Sequence, residues 1–389
     1  MLKGMKLDEV LTLPKFKATF IERINRFVVR AELEGKLIQA YLPNPGKLLE
    51  LLLPGETLIL TLNRSQGRKV EDYKANKLPY LVLAVLKDGE PVLLHTHLTN
   101  RIIADLIKQG KIPLYKGYKV LAFEPSFQGS RFDLFLEKNG ERRLVEVKTC
   151  TLFNDKVAMF PDAVSQRGTR HLLSLAKAKE WGYVPHCLFV VISRKPDYFL
   201  PAFHIDLAFA YAFFEVRNSV ELRAIAISAD ESLETFNFVK EVKIPFERLE
   251  SLVKDSGVYL LVIEVRDYLE VEVGALERID FKPGYYVYVG SAKANLQKRI
   301  ERHKRKDKPL KWHIDYLTTR AKVLADFPIR SEEISECELA RMVKHYADGE
   351  VPKFGSSDCQ CESHLFYFSE NPLRSKAFVY FITDLRLRV

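Results

Sequence analysis

The chain has 389 residues, 47% of them hydrophobic and 29% charged, with a formal net charge of +9. That length exceeds one ordinary core and calls for two or three domains, while the basic excess favours a polyanionic partner without separating nucleic acid from an acidic surface. The longest apolar runs, such as Leu207 to Phe214 and Val258 to Ile263, fall far short of the roughly 18 residues that cross a bilayer. The start MLKGMKLDEV has no apolar signal core, and five cysteines (Cys150, Cys187, Cys337, Cys359 and Cys361) are too few for a disulfide framework. A cytoplasmic protein with reduced thiols and no membrane partner is expected.

From Lys15 to Leu62 the pattern predicts short strands: Lys17 to Ala31, a turn at Glu34-Gly35, Leu37 to Leu42, and Glu56 to Leu62. Leu42-Pro43-Asn44-Pro45-Gly46 reads as a rigid turn, because two prolines fix φ and remove two donors, and Lys47 to Leu53 as a short helix. Several short strands with Gly/Pro turns suggest a small barrel. Arg23, Arg26, Arg30, Arg64, Arg68 and Lys69 in this stretch read either as solvated surface or as a track for a nucleic-acid backbone. Residues 79–96 predict two strands turning at Asp88-Gly89, and Asn100 to Gln109 a helix with Asn100 as N-cap and a stop at Gly110.

Next comes Ser130 to Thr149, SRFDLFLEKNGERRLVEVKT. Asn139-Gly140 is the preferred pair for a two-residue type I′ turn, which demands φ > 0 at both positions. The register then sets Phe132 opposite Val147 and Leu134 opposite Val145 on a core face. Asp133 falls opposite Glu146, and Arg131 opposite Lys148, on the other face. Facing carboxylates repel and call for positive charge; Mg²⁺ or Mn²⁺ suits two carboxylates plus phosphate oxygens, and Lys148 stands beside them. The same four residues also read as a solvated face of alternating charge. Glu124, just upstream, reads as a third carboxylate or as a plain loop residue.

After the hairpin, Gly168-Thr169 leads into a predicted helix from Arg170 to Glu180, closed by Gly182. Arg167, Arg170 and His171 gather at its start, where helix N–H groups also favour an anion. A strand over Cys187 to Ile192 and a helix over Leu207 to Val216 follow, and the mixed-charge stretch Lys240 to Lys254 is the expected boundary.

Asp133 followed by Glu146-Val147-Lys148 resembles the D…ExK core of PD-(D/E)xK nucleases. SRFD, VEVKTCTL and FPDAVSQRGTRHLLSL (Phe160 to Leu175) together resemble the sugar fermentation stimulation protein (SfsA) family over roughly residues 10 to 240. LPNPGKLLELLLPG is similar to that family's N-terminal signature, which implies an OB-fold-like module. The nuclease-fold resemblance implies a role for Glu124 at the metal. The SfsA resemblance implies a DNA-binding role linked to regulation of sugar metabolism genes.

In the C-terminal stretch, Gly257-Val258-Tyr259 and, 29 residues after that tyrosine, Tyr288-Val289-Gly290 resemble the GIY-YIG nuclease pattern. SAKANLQKRIERHKR predicts a helix with Leu296, Arg299, Ile300 and His303 on one stripe. The resemblance implies that Tyr259 positions or deprotonates the attacking water, that Tyr288 assists, that Arg299 stabilises phosphate charge and that His303 aids proton transfer. It also implies a metal-binding glutamate on a later helix, with Glu338 preferred to Glu336. Nine basic residues between Lys293 and Lys311, Arg302, Lys304 and Arg305 among them, read as a solvated face or a nucleic-acid contact. Cys359, Cys361 and His364, joined by Cys337, have the ligand types of structural Zn²⁺, or are reduced thiols in a tight turn.

The fold class expected is an α/β (α+β) mosaic: an OB-like β-barrel at 1–80, a PD-(D/E)xK nuclease-like α/β domain at 81–245, and a GIY-YIG-like α/β domain at 250–389. The function expected is a DNA-binding protein with two nuclease-like, Mg²⁺-dependent sites. The alternative is a non-catalytic DNA-binding regulator on a nuclease scaffold, and an RNA-processing factor is a weaker third reading. Oligomeric state stays open, a homodimer included.

Overall fold

The computed structural model describes residues 7–63 and 78–388, so Arg64, Arg68 and Lys69 lie outside the described residues. The described residues form two compact units: those within 7–202 together with 208–247, and 203–207 together with 248–388. The protein is a mixed α/β structure. Among the described residues no helix is long and apolar enough to cross a membrane.

The first unit opens with a closed five-stranded barrel. Lys15–Asn25 pairs with Val28–Leu33 on one side and Thr57–Leu62 on the other, Lys36–Tyr41 and Tyr80–Lys87 follow outward, and parallel pairing of Ala40 with Tyr80 and Tyr41 with Leu81 closes the ring. Closure therefore requires Tyr80–Lys87, and Glu90–Leu93 extends the same sheet, turning through Asp88 and Gly89 at positive φ. The barrel runs past the boundary expected at 80. Two local readings also change. The strand expected from Lys17 to Ala31 splits at Arg26-Phe27, where the Asn25 side chain accepts the Phe27 N–H at 2.9 Å and offers the backbone a turn instead of a ladder. The helix expected at Lys47 to Leu53 is only a turn, begun by Leu48 at φ 52, a left-handed conformation that cannot start a right-handed helix.

Against the barrel lies a six-stranded sheet in the order Phe236–Val242, Glu221–Ala229, Val184–Ile192, Glu141–Cys150, Leu134–Lys138, Lys119–Phe123. Three of its four inner strands, Glu221–Ala229, Val184–Ile192 and Glu141–Cys150, run parallel, and both faces are covered, as parallel sheets require. Leu188, Val190 and Ile192 point to the core shared with helix Thr99–Lys108. On the opposite face Phe189 stacks on Phe199 with centroids 4.2 Å apart. Helix Gln166–Ala176 lies in the crossover between the parallel strands Glu141–Cys150 and Val184–Ile192. It starts four residues before the expected Arg170, because the Ser165 hydroxyl accepts the Gly168 N–H at 3.0 Å as a cap.

In the second unit, an antiparallel sheet runs Lys322–Ile329, Gly257–Val265, Gly284–Ala292, Leu365–Phe368, Gly349–Glu350. Helices Leu296–Lys304 and His313–Arg320 bury Leu296, Ile300, Ile314 and Leu317 in one core with Tyr259 and Tyr288.

Candidate functional sites

The hairpin folds in the expected register, with Leu134 opposite Val145 and Lys138 opposite Glu141, and with Asn139 and Gly140 at φ 51 and 86. The ladder stops one residue short of Asp133. Phe132 turns away, its N–H bonding the Pro125 carbonyl at 3.1 Å, so Asp133 does not pair with Glu146 across the ladder. Its N–H still donates to the Val145 carbonyl at 3.0 Å, and its side chain is held at both oxygens: Oδ2 accepts the Val147 N–H at 2.7 Å and Oδ1 accepts the Asn100 amide at 2.5 Å. Asn100 thus serves the site rather than the helix end, where Leu98 is the cap and makes no side-chain bond. Arg131, on the diverging segment, is exposed and lies 3.6 Å from Glu124. Glu124 is itself exposed and lines no part of the cavity that holds Asp133.

Asp133, Glu146 and Lys148 share one cavity of about 320 Å³. Asp162 lines it too, and so do Arg26, Asn44 and Gly46 from the barrel and Arg167 from the first turn of the crossover helix. Glu146 is buried, with Oε1 bonded by Lys148 Nζ at 2.5 Å and by His171 Nδ1 at 2.9 Å. Its Oε2 is buried and meets no hydrogen-bond partner among the described residues. Burial and the charge of Glu146 push the Asp133 carboxyl up to about 7. For Glu146 burial pulls the same way, but Lys148 and His171 outweigh it and hold that carboxyl below its ordinary range. Lys148 is raised: burial opposes the charge, and the two carboxylates more than restore it.

Asp162 is the carboxylate that reading the sequence missed. It sits inside the Phe160-Pro161-Asp162 segment quoted for the family resemblance, which was the available signal. Its Oδ2 accepts both the Thr151 hydroxyl at 3.2 Å and the Leu48 N–H at 3.4 Å, and a Cβ at Gly46 would lie 2.1 Å from it. Arg23 is no backbone tracker, since its guanidinium donates to the carbonyls of Asn44, Gly46, Lys47 and Arg26 and clamps the Pro-Asn-Pro-Gly turn. Arg30 pairs with Glu22 at 2.5 Å. Arg170 is exposed on the crossover helix.

The second unit holds a separate cavity of about 290 Å³ lined by Tyr259, Tyr288, Ser291, Arg299, His303, Glu336 and Asp358. The antiparallel pairing of Tyr259 with Gly290 brings the two motif tyrosine rings to 6.2 Å. Gly290 is needed there, because a Cβ would fall 2.4 Å from the Tyr259 ring. His303 is buried and bonds Asp315 through Nδ1 at 2.9 Å. Burial lowers the ring's affinity for a second proton. Burial opposes ionisation of Asp315 too, but bonds from His303, the Trp312 N–H and Arg302 hold it far below the usual carboxylate range. The imidazole is therefore neutral, Nδ1–H donates, and Nε2 remains an acceptor. Burial raises both phenols well above their ordinary value, so both stay protonated at neutral pH.

Glu336, not Glu338, faces this cavity. Glu338 is the fourth residue of a capping box, its carboxylate accepting the Ser335 N–H at 2.8 Å, and the Ser-x-x-Glu spacing was the legible sign. Arg302 is also reassigned: it grips Asp315 through both carboxylate oxygens at 3.0 and 2.9 Å. Lys306 donates to the Thr318 carbonyl near the end of the following helix at 3.0 Å, and Lys308 to the Thr318 hydroxyl at 2.7 Å. Lys304 pairs with Asp326 at 2.6 Å, and Arg305 is exposed. Much of the basic run is thus internal bracing. Cys337, Cys359, Cys361 and His364 bring one ligand atom each within 4.8 Å of the others.

The sequence matches three family models: the SfsA N-terminal OB domain over residues 21–94, the sugar fermentation stimulation protein RE domain over 97–233, and a domain of unknown function, DUF123, over 258–386. The sugar fermentation stimulation protein homolog of Methanothermobacter thermautotrophicus is 37% identical over 196 residues, 50% of this chain and 78% of the relative. That of Pyrobaculum arsenaticum is 37% identical over 216 residues, 55% of this chain and 88% of the relative. The structure of Pyrococcus furiosus SfsA in complex with Ca²⁺ superposes with a TM-score of 0.53 at 26% identity, covering 59% of this chain and 96% of that one.

Proposed function

This chain belongs to the sugar fermentation stimulation protein family and carries one further domain after the family's two, and from that premise we propose that it binds DNA and hydrolyses its phosphodiester backbone with a divalent cation held by Asp133 and Glu146. The observation that carries this reading is the buried Glu146 Oε2, which meets no donor among the described residues in a cavity shared with a second carboxylate and a lysine. A buried carboxylate oxygen left so is costly unless a cation or water satisfies it. Mg²⁺ or Mn²⁺ fits two carboxylates that leave room for water and phosphate oxygens, and the Pyrococcus furiosus relative was solved with Ca²⁺, another oxygen-seeking cation. Such an ion, when bound, acidifies water and offsets phosphate charge.

The side chains divide the remaining work. Asn100 and the Val147 N–H hold Asp133, and His171 holds Glu146. Lys148 stays protonated and supplies positive charge to the phosphate undergoing attack. Arg26 and Arg167, on the cavity wall, suit phosphate contacts along the strand. In the second cavity His303 Nε2 accepts a proton, Tyr259 and Tyr288 orient water through their hydroxyls, Arg299 contacts the phosphate, and Glu336 is the cation ligand.

The test is incubation with supercoiled, linear and branched DNA, with and without Mg²⁺ or Mn²⁺, comparing wild type with Asp133→Ala and Arg299→Ala. Cation-dependent cleavage that each variant diminishes is expected. A second reading, DNA binding without cleavage, is favoured by one observation: both Asp133 oxygens already accept protein donors. Tight, salt-sensitive binding with no cleavage under any cation would establish it and overturn the first.

A further inference from the structure

We propose that Cys337, Cys359, Cys361 and His364 bind one structural Zn²⁺, and that this ion fixes the wall of the second cavity through Glu336. The metal site stands on its own geometry; only its effect on the cavity rests on the reading given above. In a tetrahedral zinc site with Zn–S near 2.3 Å and Zn–N near 2.05 Å, sulfur and nitrogen ligands lie about 3.6 Å apart. Cys359 Sγ is 3.6 Å and Cys337 Sγ 4.0 Å from His364 Nε2. The donors are already spaced for the ion.

The other face of the imidazole gives a second, independent indication. His364 Nδ1 bonds Glu336 Oε1 at 2.9 Å, the carboxylate–histidine arrangement that fixes ring orientation and raises ligand basicity at zinc sites. Three thiols and an imidazole form a closed, soft donor set, which selects zinc over the oxygen-seeking cations and leaves no open position for catalysis. Three thiolates around Zn²⁺ carry a net charge of −1, and Arg341 and Lys344 line the adjoining pocket with Cys337 and Cys361.

The loop needs such a tie. Gly355 to Ser363 reads GSSDCQCES, without one aliphatic or aromatic side chain to anchor it, and it forms no helix or strand. Its base is closed by His364 N–H to the Phe354 carbonyl at 2.8 Å and Lys353 N–H to the Glu362 carbonyl at 2.7 Å. Asp358, immediately before Cys359 in the chain, lines the cavity. Because the thiols must lose their protons, binding releases protons and contributes directly to folding of this segment.

The test uses the full chain purified without chelator. Elemental analysis should find about one zinc per chain, lost in Cys359→Ser and kept in Cys187→Ala, and Co²⁺ exchange should give a thiolate-to-cobalt charge-transfer band. Should Cys359→Ser fail to fold, alkylation of the wild type decides: Cys337, Cys359 and Cys361 should resist a maleimide until a chelator is added. A metal-free protein whose three thiols react at once, or form a disulfide, overturns the site, as does zinc retained by a folded Cys359→Ser. Glu336→Gln should weaken zinc affinity about 10–100-fold in competition with a chromophoric chelator; unchanged affinity overturns the link to the cavity. None of these readouts uses DNA, so their failure is distinct from failure of the proposed cleavage.

Discussion

Replacing Asp133 by asparagine should make the cation-free protein more stable, and increasingly so with pH. Burial and the neighbouring Glu146 raise the Asp133 carboxyl from 3.8 to about 7, an upward displacement of about 3 pH units, worth about 4 kcal/mol at 1.36 kcal/mol each. With the folded value above the unfolded one, the native state keeps a proton that the unfolded chain releases between about pH 4 and pH 7. Wild-type stability therefore falls as pH rises through that window and levels off above it. The variant has no such titration. Its amide can preserve both hydrogen bonds, accepting the Val147 N–H through oxygen and donating through nitrogen to a flipped Asn100 amide. Calorimetry in EDTA at pH 5, 6, 7 and 8 should show the difference between variant and wild type growing toward about 4 kcal/mol at pH 8. At roughly 2–4 °C per kcal/mol for a unit of this size, that approaches roughly 8 °C or more. Adding Mg²⁺ or Ca²⁺ should narrow the gap, since the cation stabilises only the protein that retains both carboxylates. A difference independent of pH, or a variant less stable at pH 8, would refute the reasoning.

The remaining expectations concern single contacts. Apparent divalent affinity, followed by isothermal titration, should rise as pH increases to about 7 and then flatten, because Asp133 must lose its proton to act as a ligand; affinity that falls over that range contradicts the assignment. Glu338→Ala should lower melting slightly through its lost cap and leave DNA cleavage intact, whereas Glu336→Ala should abolish the cleavage that depends on Arg299. Arg302→Ala should cost about 2 kcal/mol in denaturant by stripping charged hydrogen bonds from buried Asp315, with little change in the salt slope of DNA binding, while Arg305→Ala should reduce that slope by about 1. Gly290→Ala should displace Tyr259, whose ring lies 2.4 Å from the new Cβ, and abolish Arg299-dependent cleavage while zinc content stays unchanged.

What could be read directly were features whose causes lie close in the chain. Asn139-Gly140 sets the hairpin register by backbone conformation alone, and Leu134 meets Val145 as expected. The apolar runs that carry Gly257-Val258-Tyr259 and Tyr288-Val289-Gly290 likewise read as strands, and the structure pairs them. At other positions one residue had two competing local roles. Asn100 was read as a helix cap and instead holds Asp133, and Arg302 was read within a basic run as solvated surface or a nucleic-acid contact and instead grips Asp315.

The sequence by itself determined which chemical groups the protein owns and where short-range geometry places them: two carboxylates and a lysine around one hairpin, paired tyrosines, three thiols with a histidine nearby. Tertiary structure decided which of them meet. Glu336 and Glu338 are two residues apart at a helix start, so they leave the axis about 200° apart, and only packing of that helix on the sheet turns one toward the cavity. Asp162 and His171 reach the Asp133 cavity and its Glu146 from 16 or more positions further along, because a parallel crossover must carry the chain over the sheet before returning. Pattern within a segment is blind to such meetings, since they depend on where distant segments are packed rather than on local propensity.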